Sequence, residues 1–465
     1  MHGLRSVAGG RCTRRVVVAL VAILAVGFGL RALKAGSPNT VDQSLDEHSY
    51  VFIAQSLSER GTYAGRNDLM LRWPPGAPLL FASAQTIDGS GVEHGAASDI
   101  PSAYWAQALV GTGTILAVFA IVALLAGALP ALVAAGVLAI YPPLVLVTGD
   151  LMSEPFGAFA LACAMAAVIW AMRGQGLRRY ALAGFLLGVA ILVRADFLFL
   201  TPLLALLLVV GRRRALGARR ALVPAAVLVA AAGLTVLPWS IYVSTRVDRL
   251  TPVTTGDAPA LFVGTYLPGG GSTAGMKRDL GDEARAFTPS SSFKKRSNAD
   301  LPAEVVLDLV AARHPELDRS AALRKEALEN LRHDLGHPVQ YAQMTLHKVD
   351  VMWLHPSRLG STSKPGWITA VHLIVLALSL AGLVAGFARA RSLELWVLAL
   401  APAYGAALHA VLVSQARYNL PLMPLVIAAG VAGAALAWRA RGDRRAPADA
   451  IARPAVSGAA GDRAR

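Results

Sequence analysis

Apolar residues in this chain fall in long blocks, and most of the charged residues gather between them. The blocks read as helices at 16–30, 104–126, 131–147, 156–172, 181–193, 197–210, 221–243, 367–387, 395–413 and 420–438. Most run to roughly 15 to 25 residues, the length a helix needs to cross a bilayer; 181–193 and 197–210 are short. The pattern predicts an all-α polytopic membrane protein, a transmembrane helix bundle of about ten spans.

The arginines orient it. Arg5, Arg11, Arg14 and Arg15 precede the first block. Alternating sides from a cytoplasmic N-terminus places Arg173/Arg178/Arg179, Arg212/Arg213/Arg214/Arg219/Arg220, Arg389/Arg391 and the tail from Arg439 on that same side. Positive residues favour the cytoplasmic face, so every basic cluster agrees with the parse. The first block could also be a secretory signal peptide. Against cleavage, Arg31 and Lys34 interrupt the region where a small-residue site would sit. In both cases the chain emerges outside near residue 35.

The chain then divides into six regions. These are a cytoplasmic tail with the first span (1–34), an extracytoplasmic loop (35–103), a bundle (104–243), a larger extracytoplasmic loop (244–366), the last spans (367–438) and a basic cytoplasmic tail (439–465) that reads as disordered. The first loop predicts an amphipathic helix to about Arg60, stopped by Gly61-Thr62-Tyr63. Arg72-Trp73-Pro74-Pro75-Gly76 then leads rigidly into an apolar piece, 77–84, too short to span and suited to the interface. In the second loop, Gly/Ser-rich 268–275 and 289–297 are expected to be mobile, and helices are expected near 303–313, 319–332 and 338–354. The last has a broadly apolar side (Met344, Leu346, Val351, Met352) that could lie on the bilayer or pack on the bundle.

Composition narrows the class. Of 465 residues 55% are hydrophobic and 16% charged, against about 25% charged in soluble domains. The net charge of +15 could suggest nucleic acid, but its arginines sit in short loops and at the two ends, where they set topology. Cys12 and Cys163 have no disulfide or metal spacing.

The densest acidic cluster near a span is Asp42 to Glu47. It could simply start a helix, with Ser44 as cap and Glu47 three residues on, as in a capping box. Yet other polar groups share its side: Asp150 and Glu154 between the third and fourth blocks, Arg194 and Asp196 between the fifth and sixth, and Gln415, Arg417, Tyr418 and Asn419 before the last. Ionisable groups at membrane depth usually face a bundle interior or wet cavity. Each has a plainer reading: Glu154 as a helix start, Arg194 with Asp196 as a surface ion pair, Arg417-Tyr418 as an interfacial anchor. His48 has no second histidine at ligand spacing and suits a solvated or supporting role.

Asp46-Glu47-His48-Ser49-Tyr50 after the first span resembles the signature of GT-C fold membrane glycosyltransferases. It is most similar to the protein O-mannosyltransferase and lipid A aminoarabinose transferase superfamily. Pro74-Pro75-Gly76-Ala77-Pro78-Leu79-Leu80, Ser153-Glu154-Pro155, Leu192-Val193-Arg194, Gly264-Thr265-Tyr266, the 338–355 helix and Arg417-Tyr418-Asn419-Leu420-Pro421-Leu422-Met423-Pro424 extend the resemblance over most of the chain. It implies a GT-C bundle in a bacterial plasma membrane, taking sugar from a polyprenyl-phosphate donor on the extracytoplasmic face. The acceptor stays open between protein, lipid and polysaccharide, and no nucleic acid is implied. Asp46 then acts on the acceptor, with Glu47 its neighbour. Fewer spans and no large C-terminal soluble domain separate this chain from larger members. Glycosyl transfer needs a carboxylate base and cations for the departing phosphate. Arg194, Arg417, Tyr418 and Arg72 are the candidates for that phosphate. Asp150 and Glu154 could hold a sugar hydroxyl or a divalent metal cation. The competing readings are a transporter or flippase of lipid-linked envelope precursors, which would place charges mid-span on broken helices in two related halves, and a non-catalytic membrane partner.

Overall fold

The computed structural model describes residues 10–39, 45–63, 71–88, 100–174, 176–356, 366–390 and 392–445. Ser44, the expected cap, and the tail beyond 445 lie outside these. Among the described residues there is no strand, and all ten apolar blocks are helical. Among the described residues eight helices are long and apolar enough to cross a membrane: Thr13–Ala35, Pro101–Ala126, Glu154–Met172, Ala195–Arg214, Ala218–Arg246, Gly366–Ala390, Leu393–Val411 and Met423–Arg441. A ninth segment is a bent pair, and the tenth, Leu177–Val193, has 17 residues.

The bent pair departs from the single span expected at 131–147. Ala128–Ile140 and Pro142–Gly149 meet at 54°. Pro142 and Pro143 lack the N–H groups that would bond the carbonyls four residues back, at Leu138 and Ala139. Arg31 answers this from the first span. Its guanidinium is buried and donates to the carbonyls of Ala139 at 3.0 Å and Leu138 at 3.3 Å, and to Gly27 at 2.9 Å. A charge that looks misplaced in sequence therefore satisfies backbone acceptors left by two prolines.

Small residues bring other spans together. A Cβ on Gly382 would lie 2.2 Å from the Gly430 carbonyl, and one on Gly386 would lie 2.6 Å from the Gly433 Cα. The Gly366–Ala390 and Met423–Arg445 helices thus meet backbone to backbone, the small-residue packing that lipid-embedded helices use.

The larger loop has its own core. Helices Asp257–Thr265, Thr273–Phe287, Ala303–Ala311 and Arg319–Leu335 enclose Phe262, Met276, Leu280, Val306, Val310 and Leu323. The Gly/Ser-rich 268–275 segment forms a turn of defined geometry. Gly270 and Gly271 take positive φ, and Ser272 caps the following helix through Gly275 N–H at 3.1 Å.

Pro338–Trp353 packs on the bundle along Met344, Lys348 and Met352. Lys348 is buried and donates to the carbonyls of Gly264 at 2.8 Å, Val411 at 3.2 Å and Leu412 at 3.3 Å. It ties the loop subdomain to the end of a span. In the first loop, Leu45–Arg60 ends at Gly61 in the left-handed region, as its sequence predicts. Gly76–Asp88 buries Ala77, Phe81 and Ala84 and exposes Leu79, Leu80 and Ile87.

Candidate active site

Four chain segments meet at one end of the bundle. Asp46 sits in the first turn of Leu45–Arg60. Glu154 opens Glu154–Met172, where the helix dipole favours an acid. Arg194 terminates Leu177–Val193, and Asp196 lies in the short turn after it. Arg417 and Tyr418 occupy a one-turn 3-10 helix, Ala416–Asn419, between the last two spans.

Their side chains touch. Arg417 Nη2 donates to Asp46 Oδ2, and its Nε lies 3.6 Å from Glu154 Oε1. Arg194 Nη1 is 3.3 Å from the same Glu154 oxygen and donates to Ser153 Oγ at 3.0 Å, while its Nη2 donates to Asp196 Oδ2 at 2.6 Å. Two guanidiniums thus share Glu154, which is only 2% exposed. Glu154 Oε2 has no hydrogen-bond partner among the described residues. Both guanidinium carbons lie over the Tyr418 ring, at 5.6 and 5.8 Å from its centroid, and His409 packs on that ring at 4.6 Å. Tyr404 donates to the Asp196 carbonyl at 2.5 Å. Exposure increases outward from Glu154 to Asp46 and Asp196, whose side chains are 26% and 33% exposed, so the cluster opens at those two carboxylates.

Two opposed effects act on Asp46. Burial raises its carboxyl, but Arg417, helped by Arg72 and Arg194, outweighs burial and holds it below the usual range. The group is therefore an ionised carboxylate at neutral pH. One helical turn on, Tyr50 shares its face. Burial first, then Asp46 and Glu154, push the Tyr50 phenol up, so it stays protonated and hydrogen-bonds to Ser153.

The structure separates some sequence candidates from this cluster. Glu47 is buried and accepts from the Leu151 N–H at 2.9 Å. Asp150 accepts from Asn39 Nδ2, and Gln107 donates to the carbonyls of Thr148 at 3.3 Å and Asp150 at 2.8 Å. These groups hold the 148–152 segment that presents Ser153 and Glu154. Arg72 stacks on Trp73 at 4.0 Å and donates to Glu304 of the loop subdomain. His48 is exposed.

Metal coordination fits the cluster poorly, since Asp46, Glu154 and Asp196 each already face a guanidinium. Among the described residues, the group of three His, Cys, Asp or Glu side chains with ligand atoms inside 4.8 Å is His314, Glu326 and Glu329, in the loop subdomain.

Sequence reasoning missed three contributors. Tyr50 was signalled by its i, i+4 spacing from Asp46. His409 and Tyr404 lie inside an apolar span, and nothing local marks them.

Residues 96–239 match the family described as dolichyl-phosphate-mannose-protein mannosyltransferase. The match includes Glu154 and Arg194 and leaves Asp46 and Arg417 outside it. Among curated proteins no sequence matches this chain. Solved structures match over most of its length. The archaeal oligosaccharyltransferase AglB from Archaeoglobus fulgidus, in complex with an inhibitory peptide and a dolichol-phosphate, is 14% identical with a TM-score of 0.54. That match covers 92% of this chain and 50% of AglB. The apo form of the Archaeoglobus fulgidus oligosaccharyltransferase gives 14%, 0.54, 89% and 50%. ArnT from Cupriavidus metallidurans bound to undecaprenyl phosphate gives 16% identity and a TM-score of 0.41, over 93% of this chain and 78% of ArnT. This chain spans about half the length of the oligosaccharyltransferase. The fold is that of the GT-C membrane glycosyltransferases, and the chain is an integral membrane protein.

Proposed function

We propose that this chain is a membrane glycosyltransferase. It moves a sugar from a polyprenyl-phosphate donor to an acceptor hydroxyl on the extracytoplasmic face, with inversion at the anomeric carbon. The observation that carries this is the Asp46–Arg417–Glu154–Arg194 cluster: a partly exposed, ionised carboxylate paired with Arg417, whose guanidinium shares Glu154 with that of Arg194.

The chemistry follows from those groups. Asp46 accepts the proton of the acceptor hydroxyl as its oxygen attacks the anomeric carbon. The bond from that carbon to the phosphate oxygen breaks, and the electron pair leaves with the phosphate. Arg417 and Arg194 meet the developing charge with forked N–H donors. Glu154, buried between them, holds the two guanidiniums in place. Glu47 and Asp150 act from behind by fixing the 148–152 segment. The sidedness of the basic clusters supports an extracytoplasmic site.

The test is donor consumption. Membranes containing the chain, given a radiolabelled polyprenyl-phosphate sugar and an envelope extract as acceptor, should release polyprenyl phosphate and label the acceptor. A donor that stays intact across lipid-linked hexoses and pentoses would overturn the reading.

A further inference from the structure

Arg72 is a phosphate candidate from the sequence, yet its guanidinium bonds Glu304 in the first turn of Ala303–Ala311. Glu304 does not depend on Arg72 alone. Arg319 Nη2 also donates to it, and Arg319 is itself held by Asp308 at 2.7 Å. Glu304 therefore keeps a cationic partner if Arg72 leaves. The backbone beside Arg72 is fixed, since Thr255 N–H donates to the Leu71 carbonyl at 3.2 Å. Only the side chain needs to move, pivoting on the face of Trp73.

Charge counting gives that movement a direction. The cluster holds three carboxylates (Asp46, Glu154, Asp196) and two guanidiniums (Arg194, Arg417). It carries no surplus positive charge for an incoming phosphate. Arg72 is a further cation beside it: it lies over Trp73, whose ring meets that of Tyr50 at 6.2 Å, one helical turn from Asp46.

We propose that Glu304 competes with the donor's phosphate for the Arg72 guanidinium, so that donor entry passes Arg72 from the loop subdomain to the site. This rests on the transferase reading and adds a control to it. Carboxylate and phosphate both match the guanidinium fork, so the exchange trades one charge-assisted pair for another. Loop docking and donor capture are thereby coupled through one side chain.

Equilibrium binding of radiolabelled polyprenyl phosphate to the full chain in nanodiscs tests it. Glu304→Gln should tighten binding about tenfold, and Arg72→Gln should weaken it about tenfold, the scale of one charge-assisted hydrogen bond. In an Arg72→Gln background, Glu304→Gln should change nothing. Glu304→Asp, which keeps the charge, should stay near wild type and controls for folding of the subdomain. Tightening by Glu304→Gln that persists without Arg72 would reflect a general field effect and overturn the competition, as would weaker binding in Glu304→Gln. Failure of the wild type to bind polyprenyl phosphate would instead overturn the transferase reading on which the proposal stands.

Discussion

Arg417 reaches the carboxylate of Asp46 across 371 positions of sequence. The contact joins the loop after the first span to the loop before the last. It places the proposed base directly beside the proposed phosphate ligand. Asp46→Asn keeps the shape and a hydrogen-bonding oxygen but removes the base. Transfer should fall by at least ~100-fold, the typical worth of a general base, with expression and membrane insertion unchanged. Turnover of labelled donor in membranes measures this, and near wild-type turnover would remove Asp46 from the mechanism.

The same pair sets a pH dependence. The Asp46 carboxyl is depressed below its ordinary 3.8. Its ionised form therefore contributes fully above that value and is lost only as pH falls through the lower folded value. The acid limb of kcat/KM in the wild type should not come from Asp46 above about pH 4. In Arg417→Gln the largest influence, burial, loses its main opponent, and the carboxyl rises. An acid limb should then move upward into the measurable range. A profile with its limb unmoved would argue that the pair does not form.

Glu154 is the buried hub between two arginines. Glu154→Ala removes the buried one of two acidic partners from each guanidinium, leaving Arg417 with Asp46 and Arg194 with Asp196. Removing one partner of a buried ion pair costs about 3–5 kcal/mol. Thermal unfolding in detergent should show a loss of that order. Glu154→Gln keeps the volume and should cost less stability while still reducing transfer by about tenfold or more. Equal stability in Glu154→Ala and wild type would mean that the hub is not buried as described.

Lys348 offers a test of the junction between subdomain and bundle. Burial depresses its amine from 10.5 to about 8. Between those values the unfolded chain holds a proton that the folded chain has released, so this group makes stability rise with pH across that window. Below about pH 8 it carries a charging penalty, offset by its three carbonyl acceptors. Lys348→Met should abolish the rise and lower stability throughout, because it orphans buried carbonyls at about 1–3 kcal/mol each. Melting temperature against pH for the two proteins distinguishes this from simple loss of packing.

Gly264 is the closest contact of that junction. A Cβ there would lie 2.3 Å from the Leu412 carbonyl carbon and 2.4 Å from the Val411 carbonyl oxygen. Backbone cannot give way as a side chain can. Gly264→Ala should destabilise by about 1–3 kcal/mol through overpacking. It should also lower transfer, since residues 411–413 lead into the segment bearing Arg417. Unchanged melting and activity would show that the two bodies tolerate separation.

Much of the fold was legible because a bilayer imposes a length and a sidedness that one-dimensional patterns record. The ten apolar blocks are helices, and the Gly61 stop and the 303–311 helix fall where propensity puts them. The bend at Tyr141 was visible as two prolines but was read as a continuous span. The positive φ of Gly270 and Gly271 is not legible at 268–275, because glycine composition alone does not say which glycines need it. For the candidate site, sidedness places Asp46, Glu154, Arg194 and Arg417 at ends of apolar blocks on one face, and the structure brings their side chains into contact.

Local pattern, hydropathy and charge thus determined this protein's class, its spans and which residues could share a face. Only the tertiary structure decided which of them meet. Adjacent Asp46 and Glu47 differ by about 100° around one helix, which sends one to Arg417 and the other to the Leu151 backbone. Arg31 answers carbonyls more than a hundred residues away, and Arg72 is drawn to a subdomain that folds from a later loop. Side-chain direction and long-range pairing have no signature in spacing, because they are settled by packing among helices distant in the chain. The Asp42–Glu47 stretch marks a membrane boundary by itself, and the fold brings Asp46 to Arg417 and Glu47 to the Leu151 N–H.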